Sequence, residues 1–257
     1  MYKIHEIQGH IQSSYLIEYQ DKILLMDCAT RADLSVIENF VLSDLNRKMS
    51  DVKLAVVSHM HPDHAGLANK LQKKYKIPII AHPSAQKWYS GFLGELQHFI
   101  DVLLAWYVSI KMKNPAKLMW YPSKLNPNYI ATDGAKLPFF NDWQIIFTPG
   151  HTSHDISLYH KQSKTIYIGD VILKIKKKFL LPMPVTLPKL MEKTLSKLSE
   201  LEIENMLLAH SGISIIKNSS NFFNGLKSLL SEKKKGVFAL INLISFFPPC
   251  IRKSENC

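Results

Sequence analysis

The sequence is poor in cysteine and has no long uncharged apolar run. Its three cysteines, Cys28, Cys250 and Cys257, are far apart and odd in number, which argues against a disulfide-stapled scaffold and favours a reducing compartment. Because no run of about 18 uncharged apolar residues occurs, no ordinary transmembrane helix is expected. The first residues alternate like a strand and show no charged-then-apolar leader, so no signal peptide is expected. These absences predict a cytoplasmic protein.

Acidic residues are also scarce relative to basic ones. The chain has 32 Lys and Arg against 21 Asp and Glu, a net charge of +11, and such a balance favours anionic partners. The lysine-rich run Lys174–Lys178 is consistent with recognition of a phosphate or carboxylate, and equally with solvated loop lysines. Neither this run nor Lys233–Lys235 has interleaved aromatic residues, so no nucleic-acid partner is expected. The predicted partner is a small molecule, apolar or anionic.

One short segment is dense in metal-ligand side chains. The apolar run Val52–Val57 predicts a buried strand, and His59, His61, Asp63 and His64 follow it directly. Pro62 lacks an N–H and disfavours helix in the residue before it, so the strand ends in a loop. Imidazole nitrogens and carboxylate oxygens are good zinc ligands. The segment therefore predicts a metal site at the end of a strand.

This segment resembles the signature of the metallo-β-lactamase superfamily, and three further ligands follow in the order that the resemblance implies. His151 follows the apolar strand at 143–147, Asp170 follows a second strand at 166–168, and His210 ends a third. The resemblance covers about residues 1–215. It implies a four-layer αββα sandwich of the α/β class, in which two sheets lie face to face with helices outside.

The resemblance also implies a dinuclear site with two zinc ions per chain, although iron or manganese could replace zinc because no cysteine is among the ligands. One metal would be held by His59, His61 and His151, and the other by Asp63, His64 and His210, with Asp170 bridging them. Two metals about 3.5–4 Å apart can share one hydroxide and polarise the bond that it attacks. Asp63 and Asp170 are therefore the predicted catalytic residues, with Asp63 orienting the hydroxide.

The predicted organisation is a catalytic domain at 1–217 with a helical insertion at about 84–135, followed by a C-terminal helix and tail at 218–257. In the insertion, apolar residues recur at helical spacing over one wide face. This face would form an apolar wall for a substrate, or the helix would simply pack on the core. His98 is predicted to be a solvated residue of this helix. Asp27 is predicted either to support the metal site through a hydrogen bond or to be a turn residue at a strand end.

The tail differs in composition from the rest of the chain. The basic run Lys233–Lys235 precedes an apolar stretch of about 15 residues that ends near Cys250. This pattern is too short for a span and suits an interfacial anchor, so peripheral attachment to a membrane surface is one hypothesis. A terminal helix that covers the domain and a dimer contact are the others.

The function expected from these features is hydrolysis of an ester, thioester or lactone that carries an apolar group, by a hydroxide that bridges the two metals. A phosphodiesterase acting on a small phosphorylated lipid or nucleotide is an alternative, favoured by the lysines after Asp170. A third hypothesis is a sulfur-oxidising enzyme with a single iron on His59, His151 and Asp170. A fourth is a metal-bearing binding module without turnover.

Overall fold

The computed structural model describes residues 1–231, which form α-helices and mixed β-sheets. The basic run Lys233–Lys235 and the apolar tail for which a membrane contact is predicted lie outside the described residues. The chain divides into two compact units. The first comprises Met1–Ala131 with Pro138–Phe140, and the second comprises Thr132–Leu137 with the chain from Asn141 onward. Each unit contains one six-stranded sheet.

The sheet of the first unit places the strand that precedes the histidine-rich segment near its centre. Its strands run in the order of the sequence: β1 (Lys3–Gln8), β2 (Ser13–Glu18), β3 (Ile23–Met26), β4 (Val52–Val57), β5 (Ile79–Ala81) and β6 (Tyr129–Ile130). The first three strands pair antiparallel, whereas β3 to β6 pair parallel. Since a parallel strand is covered on both faces, β4 is apolar almost throughout and its last four residues are buried.

The helices of the first unit are α1 (Leu34–Asn39), α2 (Pro62–Ala65), α3 (Ala68–Tyr75) and α4 (Gly91–Lys111). A π-helical turn at Phe40–Asp44 continues α1, and short 3-10 turns lie at Arg31–Asp33, Met49–Asp51 and Ala85–Lys87. Pro62 occupies the first position of α2, where a missing N–H costs nothing. The strand β4 and the loop after it therefore end in a short helix that carries Asp63 and His64.

The second unit has its own sheet, in the order β14-β13-β10-β9-β8-β7. Its elements are β7 (Lys136–Leu137), β8 (Phe140–Phe147), β9 (Ile156–His160), β10 (Thr165–Tyr167), the hairpin of β11 (Leu173–Ile175) and β12 (Lys178–Leu180), α5 (Pro188–Ser199), β13 (Asn205–Leu208), β14 (Gly212–Ile215), α6 (Ser219–Leu226) and a 3-10 turn at Lys227–Ser231. Strand β10 pairs parallel with β13 and antiparallel with β9. One apolar core joins these strands to α5 and α6.

The helix α4 buries its polar face and exposes its apolar face, so the prediction that the apolar face packs on the core is wrong. Its buried positions are mainly polar or small, namely Gly94, Gln97, His98, Asp101, Ala105 and Ser109. Its large apolar side chains are instead exposed. The prediction of a solvated His98 is wrong, because this side chain is fully buried and burial lowers its pKa. Among residues 1–231, no helix is long and apolar enough to cross a membrane.

Candidate metal centre

The first unit brings four of the predicted ligands together in the loop after β4. The Nε2 atom of His59 lies 3.0 Å from Nδ1 of His61, and the rings of His59 and His64 are 4.0 Å apart. Nε2 of His64 lies 3.6 Å from a carboxylate oxygen of Asp63. Backbone hydrogen bonds from the N–H groups of His64 and Ala65 to the carbonyl of His61 hold the loop in this conformation.

A buried carboxylate positions this loop. Asp27 follows β3 in a left-handed conformation with φ of 65° and is fully buried. It accepts hydrogen bonds from the backbone N–H and the hydroxyl of Ser58, each at 2.7 Å. Its Oδ2 also lies 2.6 Å from Nδ1 of His64. Asp27 therefore has both predicted features: it is a turn residue at a strand end, and it makes hydrogen bonds to the ligand His64 and its neighbour Ser58.

The backbone of the loop after β4 also packs closely against the segment that connects β3 to α1. A Cβ atom at Gly66 would lie 2.4 Å from the carbonyl oxygen of Pro62 and 2.6 Å from the backbone nitrogen of Arg31. The Cys28 N–H donates to the carbonyl of His64, and the Leu67 N–H donates to that of Cys28. Only glycine fits at position 66 without a shift of backbone, which explains its place two residues after His64.

The helix α4 contributes a carboxylate that the sequence analysis did not assign to the site. Oδ2 of Asp101 lies 3.7 Å from Nε2 of His61. The Asp101 carboxylate is itself held by the hydroxyl of Tyr89 at 2.8 Å and the amide of Gln97 at 2.7 Å. One signal could have found it: the small and polar residues 97, 101, 105 and 109 recur every four positions on an otherwise apolar helix.

Two buried tyrosines complete this environment. The hydroxyl of Tyr121 donates a hydrogen bond to the carbonyl of Met60, between two predicted ligands. Burial raises the pKa of both Tyr89 and Tyr121 well above the ordinary value, and the negative charge of Asp101 adds to this effect. Both side chains therefore remain neutral hydrogen-bond donors at physiological pH.

Replacing Asp101 by asparagine is expected to weaken metal binding by about 10–100-fold, the range for partners that orient a metal-bound histidine. The Asp101→Asn side chain keeps its size and loses the charge that faces His61. Competition with a chromophoric chelator measures the metal affinity, and thermal unfolding confirms that the variant is folded. Glu95→Gln, on the exposed side of the same helix, is the charge-matched control. Equal affinities in the wild type and Asp101→Asn would contradict this role.

The second unit brings the other three predicted ligands together. Asp170 follows β10, His151 follows β8 and His210 follows β13. One carboxylate oxygen of Asp170 lies 3.7 Å from Nε2 of His151, and the other lies 3.3 Å from Nε2 of His210. A carboxylate with each oxygen directed toward a different histidine has the arrangement of a bridging ligand.

Contacts of its ring and of its backbone carbonyl set the position of His151. Its Nδ1 lies 2.7 Å from the carbonyl of Pro184, and its own carbonyl accepts a hydrogen bond from the Thr186 hydroxyl. Asp155 accepts hydrogen bonds from the backbone and hydroxyl of Thr152, both at 2.6 Å. Burial raises the pKa of Asp155 to about 6, against the opposing influence of His151. These contacts fix the turn that carries the histidine.

Two other features lie in the segments that carry these ligands. The side chain of His154 is fully buried, and its backbone N–H donates to the Thr152 hydroxyl; both observations favour a local structural role for this histidine. The lysine-rich run forms a β-hairpin rather than a loop. Its first residue, Lys174, donates to the Ser214 hydroxyl, whereas the residues 176–178 are exposed.

The donor sets of both units suit divalent metal ions. A metal-bound histidine uses one ring nitrogen for the ion and gives the other to a carboxylate or carbonyl, which fixes its orientation. His64 has this arrangement through Asp27, and His151 has it through the carbonyl of Pro184. Since all seven donors are imidazole nitrogens or carboxylate oxygens, the residues fit zinc, iron or manganese.

Comparison with known proteins identifies the family of the chain. Residues 7–210 match the family model of the Metallo-beta-lactamase superfamily. The probable metallo-hydrolase YflN of Bacillus subtilis is 21% identical over 186 residues, which are 67% of this chain and 65% of that protein. Ribonuclease J 1 of Streptococcus pyogenes is 34% identical over 93 residues, 33% of this chain and 16% of the ribonuclease. The chain thus spans less than two thirds of these curated relatives.

A solved structure shows the same fold. The metallo-beta-lactamase family protein TTHA1429 from Thermus thermophilus superposes with a TM-score of 0.68 at 19% identity, covering 99% of this chain and 94% of that one. The predicted α/β fold of the metallo-β-lactamase type is therefore confirmed. Together with the family match over residues 7–210, this establishes that the chain belongs to the metallo-β-lactamase superfamily.

Proposed function

We propose that this protein is a dinuclear zinc-dependent hydrolase that cleaves an ester, thioester or lactone. The observation that carries the proposal is the placement of Asp170, whose two oxygens face His151 and His210 at 3.7 and 3.3 Å. The name of the YflN relative, a probable metallo-hydrolase, supports the same reaction class.

In this proposal the ligands of the two units serve one centre. His59, His61 and His151 would hold one metal, and Asp63, His64 and His210 would hold the other. Each triplet offers the donor types that can hold a metal ion, and Asp170 would serve as a ligand of both. When bound, the metals lower the pKa of water toward neutrality and polarise the carbonyl of the substrate.

The protein's own side chains prepare the ligands for this task. Asp27 holds Nδ1 of His64, and the Pro184 carbonyl holds Nδ1 of His151. Both contacts favour the tautomer that carries its proton on Nδ1 and presents the lone pair of Nε2 to a metal. Asp63, whose carboxylate lies next to Nε2 of His64, orients the attacking water.

The predicted preference for an apolar substrate loses its main support. That preference relied on the apolar face of α4 as a wall for the substrate, but this face lies on the side of the helix opposite Asp101, which faces His61. The polar face of α4 contacts the loop after β4, where Asp101 faces His61. We therefore assign the substrate only by the carbonyl bond that is cleaved, and we do not specify an apolar group on it.

A phosphodiesterase is the second candidate function. The exposed lysines at 176–178 lie on a hairpin that begins three residues after Asp170, where they could recognise a phosphate as point charges. The local similarity to ribonuclease J 1, whose name denotes phosphodiester cleavage, favours the same alternative. An enzyme with a single iron on His59, His151 and Asp170 is less well supported, because it gives no role to the buried pairing of His64 with Asp27.

A screen of substrate classes tests the proposal. Full-length protein, first stripped by chelation and then reloaded with zinc, is assayed with chromogenic thioesters, lactones and phosphodiesters. Elemental analysis of protein purified without added metal, before chelation, is expected to give two zinc ions per chain. The reloaded protein should turn over a carbonyl substrate, and the stripped protein should not. Turnover that survives chelation, or a single tightly bound iron, would contradict the proposal. Turnover of phosphodiesters alone would establish the second candidate.

A further inference from the structure

The exposed side of α4 carries a continuous apolar stripe. At 100° per residue, its members lie within an arc of about 100° on the helix surface. The stripe comprises Phe92, Leu96, Phe99, Leu103, Trp106, Tyr107 and Ile110, all of them exposed, from 42% at Leu96 to 84% at Phe92. Trp120 extends it, since its ring lies 6.4 Å from that of Phe99 and is also exposed. Contiguous exposed apolar surface of this kind marks an interaction site.

The orientation of α4 is fixed by the contacts of its other side. Asp101 accepts a hydrogen bond from Tyr89 and faces His61, both outside the helix, and the hydroxyl of Ser109 lies 2.8 Å from Nε2 of His10. These groups are buried, so a rotation of the helix that covered the stripe would leave them without partners. The helix therefore keeps this orientation, and the stripe stays exposed in the folded protein.

The segment that carries the stripe is basic. Five exposed lysines lie in the segment 85–125, at positions 87, 111, 113, 117 and 124. The acidic residues of this segment are Glu95 and the buried Asp101. The ammonium of Lys111 lies 5.4 Å from the ring centre of Tyr107, so positive charge directly borders the aromatic part of the stripe. Two copies of this surface would bring like charges together, whereas an anionic surface complements it.

We propose that α4 binds the surface of an anionic phospholipid bilayer. The helix lies in the plane of the interface with its stripe among the upper acyl chains, as amphipathic interfacial helices do. Trp106, Tyr107 and Trp120 occupy the headgroup level, where their ring geometry is favoured. The lysines extend toward the lipid phosphates, keeping their charged ends in water. This surface belongs to the described residues and is distinct from the tail, and its binding requires neither metal nor turnover.

Co-flotation of the full-length protein with vesicles tests this inference. Vesicles of phosphatidylcholine mixed with phosphatidylglycerol are compared with vesicles of phosphatidylcholine alone. The stripe variant Leu103→Gln/Trp106→Gln/Ile110→Gln is expected to bind the anionic vesicles at least about tenfold more weakly, because three apolar side chains no longer enter the interface. The matched control Ile213→Gln/Ile215→Gln changes exposed isoleucines of β14 and is expected to bind like the wild type.

Binding to anionic vesicles that falls with added salt and is lost in the stripe variant would support the inference. Three results would overturn it. The wild type could fail to bind the anionic vesicles. The stripe variant could bind as well as the wild type, which would assign the binding to another segment such as residues 232–257. A concentration-dependent dimer that the stripe variant abolishes, without vesicle binding, would show that the stripe joins two copies of the chain.

Discussion

An Asp170→Asn variant is expected to lose about a thousandfold or more of the hydrolytic turnover while keeping its fold. The carboxylate lies between His151 and His210, with one oxygen directed to each. An amide keeps the size of the side chain but loses the charge and replaces one oxygen with a hydrogen-bond donor. Loss of metal-based stabilisation worth several kcal/mol corresponds to about three powers of ten in rate. Turnover and metal content are measured on the same sample.

His61→Ala is the companion variant in the first unit, and its turnover should be abolished as well. Asp142→Asn is the control for the change of charge, because Asp142 is a partly exposed carboxylate that also contacts a histidine, His160, at 3.3 Å. It should keep wild-type activity and metal content. Retained turnover in Asp170→Asn or His61→Ala would count heavily against the two-metal mechanism, because each variant removes a ligand on which that mechanism depends.

The loop after β4, which carries four of the predicted ligands, is the part of the site that the sequence predicts best. The strand predicted at Val52–Val57 is β4, with the same bounds. It was recognisable because a central parallel strand is buried on both faces and must be apolar throughout. The ligands after it are close in sequence, so local geometry alone brings them together. The gathering of His151, Asp170 and His210 was likewise predictable, since each follows a strand that the sequence indicates.

The orientation of α4 was not predictable from its periodicity. The apolar stripe correctly indicates a helix, and in most proteins such a stripe faces the core. Here the buried face is determined by long-range polar contacts, such as Asp101 with Tyr89 and His61. Sequence spacing contains no information on which distant groups a side chain will meet. The hairpin of β11 and β12 was missed for a different reason, because its lysine-rich sequence has the composition of a solvated loop.

Replacing Asp27 by alanine is expected to lower the free energy of unfolding of the metal-free protein by about 3–5 kcal/mol, the range for removing one partner of a buried charged network. The change leaves the Ser58 N–H, the Ser58 hydroxyl and the His64 ring without their shared acceptor in a fully buried site. Urea unfolding of the metal-free protein measures the loss. Metal affinity should also fall about 10–100-fold, because the short hydrogen bond that orients the ring of His64 is lost.

Two contributions to this loss, backbone strain and lost hydrogen bonds, are separated by comparison with Asp27→Gly. Alanine is strained at the φ of 65° that residue 27 adopts, whereas glycine accepts this conformation freely. Both variants remove the carboxylate, so the difference between them, about 1 kcal/mol, measures the backbone strain. The loss that remains in Asp27→Gly measures the hydrogen bonds to Ser58 and His64. If Asp27→Gly were as stable as the wild type and bound metal equally well, the buried carboxylate would have no part in holding the ligand loop.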